Sequence, residues 1–254
     1  MRLDSFLFEN KYFDSRNKAK ESVERGEVFI DNVCQKKPSF NIRGNEEIKI
    51  VKPKEFVSIG GYKIDKAIST FNIDARGCVC VDIGSSTGGF TDSLLQNGAK
   101  KVYAVDVNVD ILHEKLKNDN RVVSVKRNAK ELTKEDLCNE KIDIVVVDLS
   151  FISAQHVSKP IYDILDDFGT LILLCKPQFE SDIFSYHKNG IIKDIKERKN
   201  ACEKVCNSLI SAGFYVKNIT SAPKVNGKNV EYLILADKLK ENIFCFDKID
   251  FNTL

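Results

Sequence analysis

The distribution of apolar residues along the chain changes character near residue 55. Before it, apolar positions come in short, spaced groups. Leu3, Phe6 and Leu7 recur at i, i+3 and i+4, which puts them on one face of a short helix. Ser15 stands where it can cap a second helix, Arg16 to Arg25, and Gly26 closes it. Val28-Phe29-Ile30 reads as a strand entering the turn pair Asp31-Asn32, and Ile48-Lys49-Ile50-Val51 as a further strand. Lys52-Pro53-Lys54-Glu55 interrupts the pattern. Beyond it a helical pattern over 63–71 leads to apolar runs at 78–82, 101–106, 121–125, 142–148, 169–175, 214–220 and 230–236. Helical patterns fill most of the gaps. Runs dense in Val, Ile and Leu that alternate with helices predict an α/β fold, a mostly parallel sheet covered on both faces. Only a short stretch rich in Pro, Gly, Lys and Asn separates the last two runs, which predicts a hairpin at one sheet edge.

This patterning divides the chain into a small α+β unit over 1–52, a linker over 53–62, a sheet domain over 63–238, and a tail over 239–254. The tail's apolar residues (Ile243, Phe244, Phe246, Ile249, Phe251) follow no period and assign no element.

Bulk composition narrows the class without naming it. With 43% hydrophobic and 30% charged residues, the 254-residue chain has the makeup of an ordinary globular protein. No apolar run is long enough to span a bilayer, and Met1-Arg2-Leu3-Asp4 carries charge where a signal peptide needs an apolar core; the expectation is a cytoplasmic protein. Eight cysteines include no C-x-x-C pair, and the three histidines stand at no ligand spacing from a cysteine pair, so buried reduced thiols are expected rather than a metal centre. Residues 1–55 carry 12 Lys and Arg against 10 Asp and Glu, which accounts for the whole net charge of +2. Any RNA contact must therefore come from local clusters rather than a bulk basic field. Arg16, Lys18, Lys20 and Arg25, on or beside the second helix, form one such cluster.

Candidate chemistry starts at Asp82-Ile83-Gly84-Ser85-Ser86-Thr87-Gly88-Gly89-Phe90, between a strand-like run and a helical pattern. Glycines in such a turn let backbone N–H groups approach a bound molecule closely. Asp106 follows at the end of the next strand, placed to accept both hydroxyls of a ribose. The loop is not the dinucleotide G-x-G-x-x-G, and no lysine opens its helix for a triphosphate. That combination suggests S-adenosylmethionine before NAD or ATP. Asp148 and Lys176 end two further buried strands. Ligands of open α/β sheets bind outside the carboxyl ends of the strands, so Asp82, Asp106, Asp148 and Lys176 converge on one rim.

These segments resemble the TlyA family, haemolysin-A-like proteins that are ribosomal RNA 2′-O-methyltransferases with an FtsJ-like catalytic domain. The resemblance runs from Arg2 to about Leu235. Arg2-Leu3-Asp4, Ser15-Arg16-Asn17-Lys18-Ala19 and Gly26-Glu27-Val28 are similar to a small RNA-binding domain found in a ribosomal small-subunit protein and in tyrosyl-tRNA synthetases. Val57-Ser58, Gly60-Gly61-Tyr62-Lys63-Ile64, Asp82 to Thr91 and Val102 to Val107 carry the catalytic part. So do Asp148-Leu149-Ser150-Phe151-Ile152-Ser153, Lys176-Pro177-Gln178-Phe179-Glu180 and Asn229-Val230-Glu231-Tyr232. The chain departs from the family at Ile59 (usually arginine), at Asn108 (usually glycine), and at Lys126-Arg127-Asn128-Ala129, one residue short of the usual Arg-Thr-Asn segment.

The resemblance implies a Rossmann-like class I methyltransferase sheet behind a small α+β RNA-binding domain. It implies S-adenosylmethionine as cofactor, held by Asp82, Gly84, Ser85, Ser86, Gly88, Gly89, Phe90, Asp106, Val107, Asn128 and Asp148. It places RNA contacts at Arg2, Ser15, Arg16, Lys18, Lys20 and Arg25, no metal, and ribosomal RNA or a ribosomal subunit as partner. Members that begin directly at Met-Arg-Leu-Asp modify large-subunit RNA, which favours that target over the small subunit. FtsJ-like enzymes use a Lys–Asp–Lys–Glu tetrad, matched here by Lys63, Asp148, Lys176 and Glu231. A ribose 2′-hydroxyl is a weak nucleophile that needs a base aligned with the methyl group. Lysine ordinarily titrates near 10.4, so a lysine base needs burial or a like charge beside it. Lys176 is the expected base, Lys63 and Asp148 its tuning partners, and Glu231 a positioning group.

Two other readings remain at this level. A carbon-5 base methyltransferase needs a cysteine nucleophile; Cys175 lies near the rim, but strand alternation turns it away from Lys176. A non-catalytic RNA-binding assembly factor predicts binding without methyl transfer, and a haemolysin needs membrane-active segments that the chain does not display.

Overall fold

Leu3 and Leu7 are fully buried on one face of helix α1 (Leu3–Glu9), and Ala19 and Val23 of helix α2 (Arg16–Glu24) pack against the same cluster. In this computed structural model, residues 1–51, 54–150, 153–180, 190–241, 246 and 249–251 are described. Lys52 at the end of the expected first unit, Pro53 of the expected linker, Phe151 and Ile152, and Ile243, Phe244 and Cys245 of the tail lie outside the described residues. Two compact units emerge, Met1–Glu55 and Phe56–Leu254.

In the first unit the Ser15 hydroxyl accepts the Lys18 N–H at 3.2 Å, the expected cap of α2, and Gly26 follows the helix at φ +77°. Strand β1 (Val28–Ile30) pairs antiparallel with β2 (Val33–Cys34) and with β3 (Ile48–Ile50). Asp31 and Asn32 both take positive φ, the backbone a two-residue hairpin turn requires. The brief strand β2 was not legible, because two exposed residues carry no periodicity.

In the second unit the helix expected from Lys63 starts three residues earlier, as α3 (Gly60–Phe71). It is followed by β4 (Val79–Ile83), α4 (Gly89–Gln96), β5 (Lys101–Asp106), α5 (Glu114–Lys117), β6 (Val122–Lys126) and β7 (Ile142–Val147). Then come α6 (Ser158–Ile164), β8 (Leu165–Cys175), α7 (Pro177–Glu180), α8 (Ile195–Ala212), β9 (Tyr215–Ser221) and β10 (Tyr232–Asp237). The seven strands lie in the order β6-β5-β4-β7-β8-β10-β9. β4, β5, β6, β7 and β8 are parallel; β10 runs antiparallel to both β8 and β9, giving the expected edge hairpin.

Each central strand sends alternate residues into two cores. Val81, Val145 and Val147 join α6 and α8 residues on one face; Cys80, Ile144 and Val146 join α3 and α4 residues on the other. With both faces covered, the strands read as unbroken apolar runs rather than alternating ones. The expectation of uniformly buried thiols needs correction. Cys80, Cys175, Cys202 and Cys206 are buried, but Cys34 and Cys138 are exposed, and all described cysteines are free. Cys34 sits on the short, exposed strand β2 and Cys138 in the turn before β7. No helix among the described residues is long and apolar enough to cross a membrane.

Candidate active site

The rim expected from strand ends is present and depends on three backbone contacts. Gly84 N–H donates to Val105 O at 2.8 Å, Ser85 N–H to the same oxygen at 3.1 Å, and Asp148 N–H to Ile83 O at 2.9 Å. The glycine turn is thus pinned between the ends of β5 and β7. Gly84 holds φ +83°, and a Cβ there would stand 2.3 Å from the Asp148 carbonyl oxygen. Only glycine allows both the dihedral and the approach. Gly88, at φ +92°, opens α4 in the left-handed region.

Above this turn lies a cavity of about 290 Å³. Gly84, Ser86, Asp106, Val107, Asn128 and Asp148, all expected cofactor residues, line it together with Ile83, Val105, Arg127, Ala129, Leu149 and Ser150. Asp106 accepts Ser86 N–H through Oδ2 and Asn108 N–H through Oδ1, each at 2.9 Å. Two donated hydrogen bonds fix its carboxylate plane, and each oxygen keeps lone-pair capacity for a hydroxyl. Val107 is 64% exposed, an apolar surface beside that carboxylate. Asn128 Oδ1 accepts Lys130 N–H at 3.1 Å. Asn108, where the family has glycine, sits at φ −128° and caps the following turn, so glycine is not needed there.

Asp82, Ser85, Gly88, Gly89 and Phe90 stand behind the cavity rather than on it. Asp82 is fully buried; its Oδ2 accepts Thr91 N–H at 2.8 Å and Thr91 Oγ1–H at 2.6 Å. Its Oδ1 has no hydrogen-bond partner among the described residues. Burial, with smaller contributions from the Asp148 and Asp106 charges, pushes the Asp82 carboxyl up to about 7.

The four expected tetrad residues form two ion pairs. Lys176 Nζ lies 2.5 Å from Asp148 Oδ1, and Lys63 Nζ lies 2.6 Å from Glu231 Oε2, with all four side chains between 11% and 21% exposed. Asp148 belongs both to the cavity wall and to the Lys176 pair. The expectation had Lys63 and Asp148 acting together on Lys176; instead Lys63 is engaged by Glu231. Lys176 Nζ also donates to Ser150 Oγ at 2.8 Å, and the Phe179 ring centroid lies 5.9 Å from it.

Three residues without an expected role contribute to this geometry. Ser150 contacts Lys176. Glu180 accepts Ser153 Oγ–H at 2.7 Å and Ala154 N–H at 2.9 Å, tying the segment after Lys176 to the segment after Asp148. The Asn229 amide accepts Ile192 N–H and donates to Gly190 O, each at 2.8 Å, bracing the loop that leads to Glu231. All three stand inside or beside quoted motifs, but their partners are 26 to 39 positions away. Cys175 is buried, with its Sγ 3.7 Å from Cys202 Sγ on α8, facing away from the rim as strand alternation requires. Among the described residues no group of three His, Cys, Asp or Glu is arranged to hold a metal ion.

In the first unit the expected RNA-contacting residues are engaged with their own neighbours. Arg2 (3.0 Å) and Arg16 (3.1 Å) both pair with the buried Asp4, whose carboxyl they hold down at about 2. Lys18 pairs with Asp14 (3.0 Å), Lys20 with Glu24 (3.8 Å), and Arg25 with Glu27 and Glu21. Those basic side chains are nevertheless 48% to 62% exposed. The Ser15 hydroxyl accepts the cap hydrogen bond of α2.

Two family models match the chain: an FtsJ-like methyltransferase over residues 56–238 and an S4 domain over residues 1–48. Among curated relatives, Hemolysin A of Brachyspira hyodysenteriae is 40% identical over 235 residues, covering 92% of this chain and 98% of that protein. The 16S/23S rRNA (cytidine-2′-O)-methyltransferase TlyA of Mycobacterium tuberculosis is 33% identical, covering 92% and 88%. The 23S rRNA (cytidine-2′-O)-methyltransferase TlyA of Campylobacter jejuni is 32% identical, covering 91% and 97%.

Proposed function

The chain belongs to the TlyA family of FtsJ-like methyltransferases, and from that membership we propose that it methylates the 2′-oxygen of a cytidine ribose in ribosomal RNA, with S-adenosylmethionine as donor. Large-subunit RNA is the favoured target, since 23S stands in the names of both methyltransferase relatives and 16S in only one. The observation that carries the reading is the double membership of Asp148, which lines the cavity and pairs with Lys176. One carboxylate thereby joins a nucleoside-shaped pocket to the group that handles the acceptor.

The cavity residues fit the proposed donor. Asp106 offers two fixed carboxylate oxygens to ribose hydroxyls, Val107 an apolar face and Asn128 an amide to an adenine, and Gly84 and Ser86 backbone at close range. Behind the cavity wall, Asp82 Oδ1, which has no hydrogen-bond partner among the described residues, adds a buried acceptor that would favour a cationic donor such as an amino acid's ammonium. When bound, the group supplies an electrophilic methyl on a sulfonium. Lys176 takes the proton of the 2′-hydroxyl as the oxygen bonds the methyl carbon. Asp148 then faces the positive charge that arrives on Lys176. The Lys63–Glu231 pair borders the acceptor side and holds the ribose in line. Orientation of this kind accounts for many orders of magnitude in rate without any new bond to the protein.

Residues Arg2, Ser15, Arg16, Lys18, Lys20 and Arg25 are proposed to meet RNA, and of these Lys18 and Lys20 would exchange exposed intramolecular ion pairs for phosphate contacts. Such pairs contribute only about 0–1 kcal/mol each, so exchanging them costs little. A base methyltransferase using Cys175 is disfavoured by the burial of that thiol against Cys202. Single-turnover methylation of unmodified ribosomal subunits by Lys176→Ala tests the reading: loss of transfer with retained subunit binding supports it, and a wild-type rate refutes it.

A further inference from the structure

Among the described residues, the two polar neighbours of the Lys176 amine differ in kind. Asp148 Oδ1, at 2.5 Å, supplies charge, yet it is a buried oxygen that accepts no aligned hydrogen bond. Ser150 Oγ, at 2.8 Å, does accept one. Ser150 is exposed and lines the same cavity as Asp106 and Asp148. A carboxylate attracts an ammonium from a wide range of directions, whereas a hydrogen bond at this distance is directional. Of the two contacts, only the serine constrains rotation about the lysine Cε–Nζ bond.

We propose that Ser150 is a positioning residue for methyl transfer, its Oγ accepting one N–H of Lys176 and so setting where the amine's lone pair points. The proposal rests on the reading of Lys176 as the base. A neutral amine has two N–H bonds and one lone pair in a tetrahedral arrangement. Left to rotate, the lone pair sweeps a cone, and a small fraction of orientations meets the incoming hydroxyl. With one N–H held by Ser150 and the other drawn toward Asp148, the lone pair occupies the remaining direction. In the transfer, the 2′-O–H proton passes to that lone pair and the oxygen's electrons form the O–CH₃ bond. The carbon–sulfur bond breaks with its pair staying on sulfur. One positive charge moves from sulfur to Lys176, whose ammonium keeps its bond to Ser150.

Ser150 can act this way because its loop is held in two places. Asp148 N–H is the last rung to Ile83 O, and Glu180 grips Ser153 and Ala154 from the short helix that directly follows Lys176. Asp148, before the serine, is thus tied to β4, and Ser153 and Ala154, after it, to the helix that follows the lysine.

The test compares the full chain with Ser150→Ala, Ser150→Thr and Lys176→Ala in single-turnover methylation of unmodified ribosomal subunits at saturating S-adenosylmethionine. Ser150→Ala is expected to slow the chemical step by roughly 10- to 100-fold, the size of an orientation defect. KM for donor and for subunit should stay within about twofold, and Tm should not move. Ser150→Thr, which keeps the hydroxyl, is expected to recover most of the rate. A wild-type rate for Ser150→Ala beside an inactive Lys176→Ala overturns the serine's role and leaves the base intact. An active Lys176→Ala overturns the base reading itself. A loss confined to donor KM, a fall in Tm parallel to the rate, or no recovery with threonine makes Ser150 a binding or structural residue and also overturns the proposal.

Discussion

Tyr232 lies opposite Cys175 in the antiparallel β10–β8 ladder, and this register sets Glu231 beside Lys176. The parallel strands deliver Asp82, Asp106, Asp148 and Lys176 to the rim at their carboxyl ends. A sixth strand of that direction would have put its first residue at the opposite end. Because β10 runs the other way, the residue that precedes it reaches the catalytic rim. The edge hairpin is thus part of the site, and shifting its register by one residue would turn Glu231 to the other face of the sheet.

Substitution of the proposed base and its partner should remove the chemistry and leave the fold. Lys176→Ala and Asp148→Ala are each expected to lower the single-turnover rate by about 10²- to 10⁴-fold, the usual contribution of a positioned base. Glu231→Gln should cost less, because Gln still bridges to Lys63. Circular dichroism and rate measurements on the same preparations check both halves.

Asp82 gives two pH dependences of stated sign. Its carboxyl ordinarily titrates at 3.8 and is pushed up to about 7 by burial first and by Asp148 and Asp106 second. The folded state therefore binds the proton more tightly, and this residue's contribution to stability falls as pH rises from about 4 to 7, then levels. Asp82→Asn should flatten that slope in urea melts. Since a cationic ligand favours the ionised form, donor binding below pH 7 should release protons. Calorimetry in buffers of different ionisation enthalpy reads the release, and Asp82→Asn should abolish it.

Asp4 behaves in the opposite sense. Hydrogen bonds from Arg2, then Arg16, hold its carboxyl at about 2, so its stabilisation is full above about 4 and is lost as pH falls toward 2. Arg16→Gln should destabilise the first unit by about 1 kcal/mol. Lys18→Gln should leave stability unchanged, because its partner Asp14 is exposed, and should weaken subunit binding with a smaller salt dependence.

Gly84→Ala should damage fold and donor binding together. The new Cβ meets the Asp148 carbonyl, and positive φ adds backbone strain, for a loss of at least about 2 kcal/mol. Cys175→Ala, by contrast, should keep methylation and cost about 1–2 kcal/mol through lost packing. Thermal melts and methyl transfer on both variants distinguish the two.

Much of this was legible because the relevant signals are local. Buried strands announce themselves as apolar runs, a charge at a strand end marks the rim, and Ser15 and Gly26 mark the limits of α2. Contacts across the chain were not. The pairing of Lys63 with Glu231 depends on the β10 register, which no local pattern encodes. Ser150 and Glu180 look like solvated loop residues until the β7 and β8 ends are brought together. The hold of Asp4 on Arg2 and Arg16 was not legible either, because a charged residue in a helix's first turn gives no sign of burial. The length of β8 also escaped notice, since Asp166, Asp167 and the exposed Phe168 mask its first residues.

In the proposed reaction this chain places a methyl group on a cytidine 2′-oxygen of ribosomal RNA through Lys176. Ribosomal RNA from cells lacking the gene, complemented with the wild-type chain or with Lys176→Ala, tests it most directly by mass mapping and alkaline cleavage. The expected result is one added methyl on a cytidine ribose, with the adjoining bond resistant to alkali, present with the wild type and missing with Lys176→Ala. Identical RNA in both strains, or a methyl found on a base, would contradict the account.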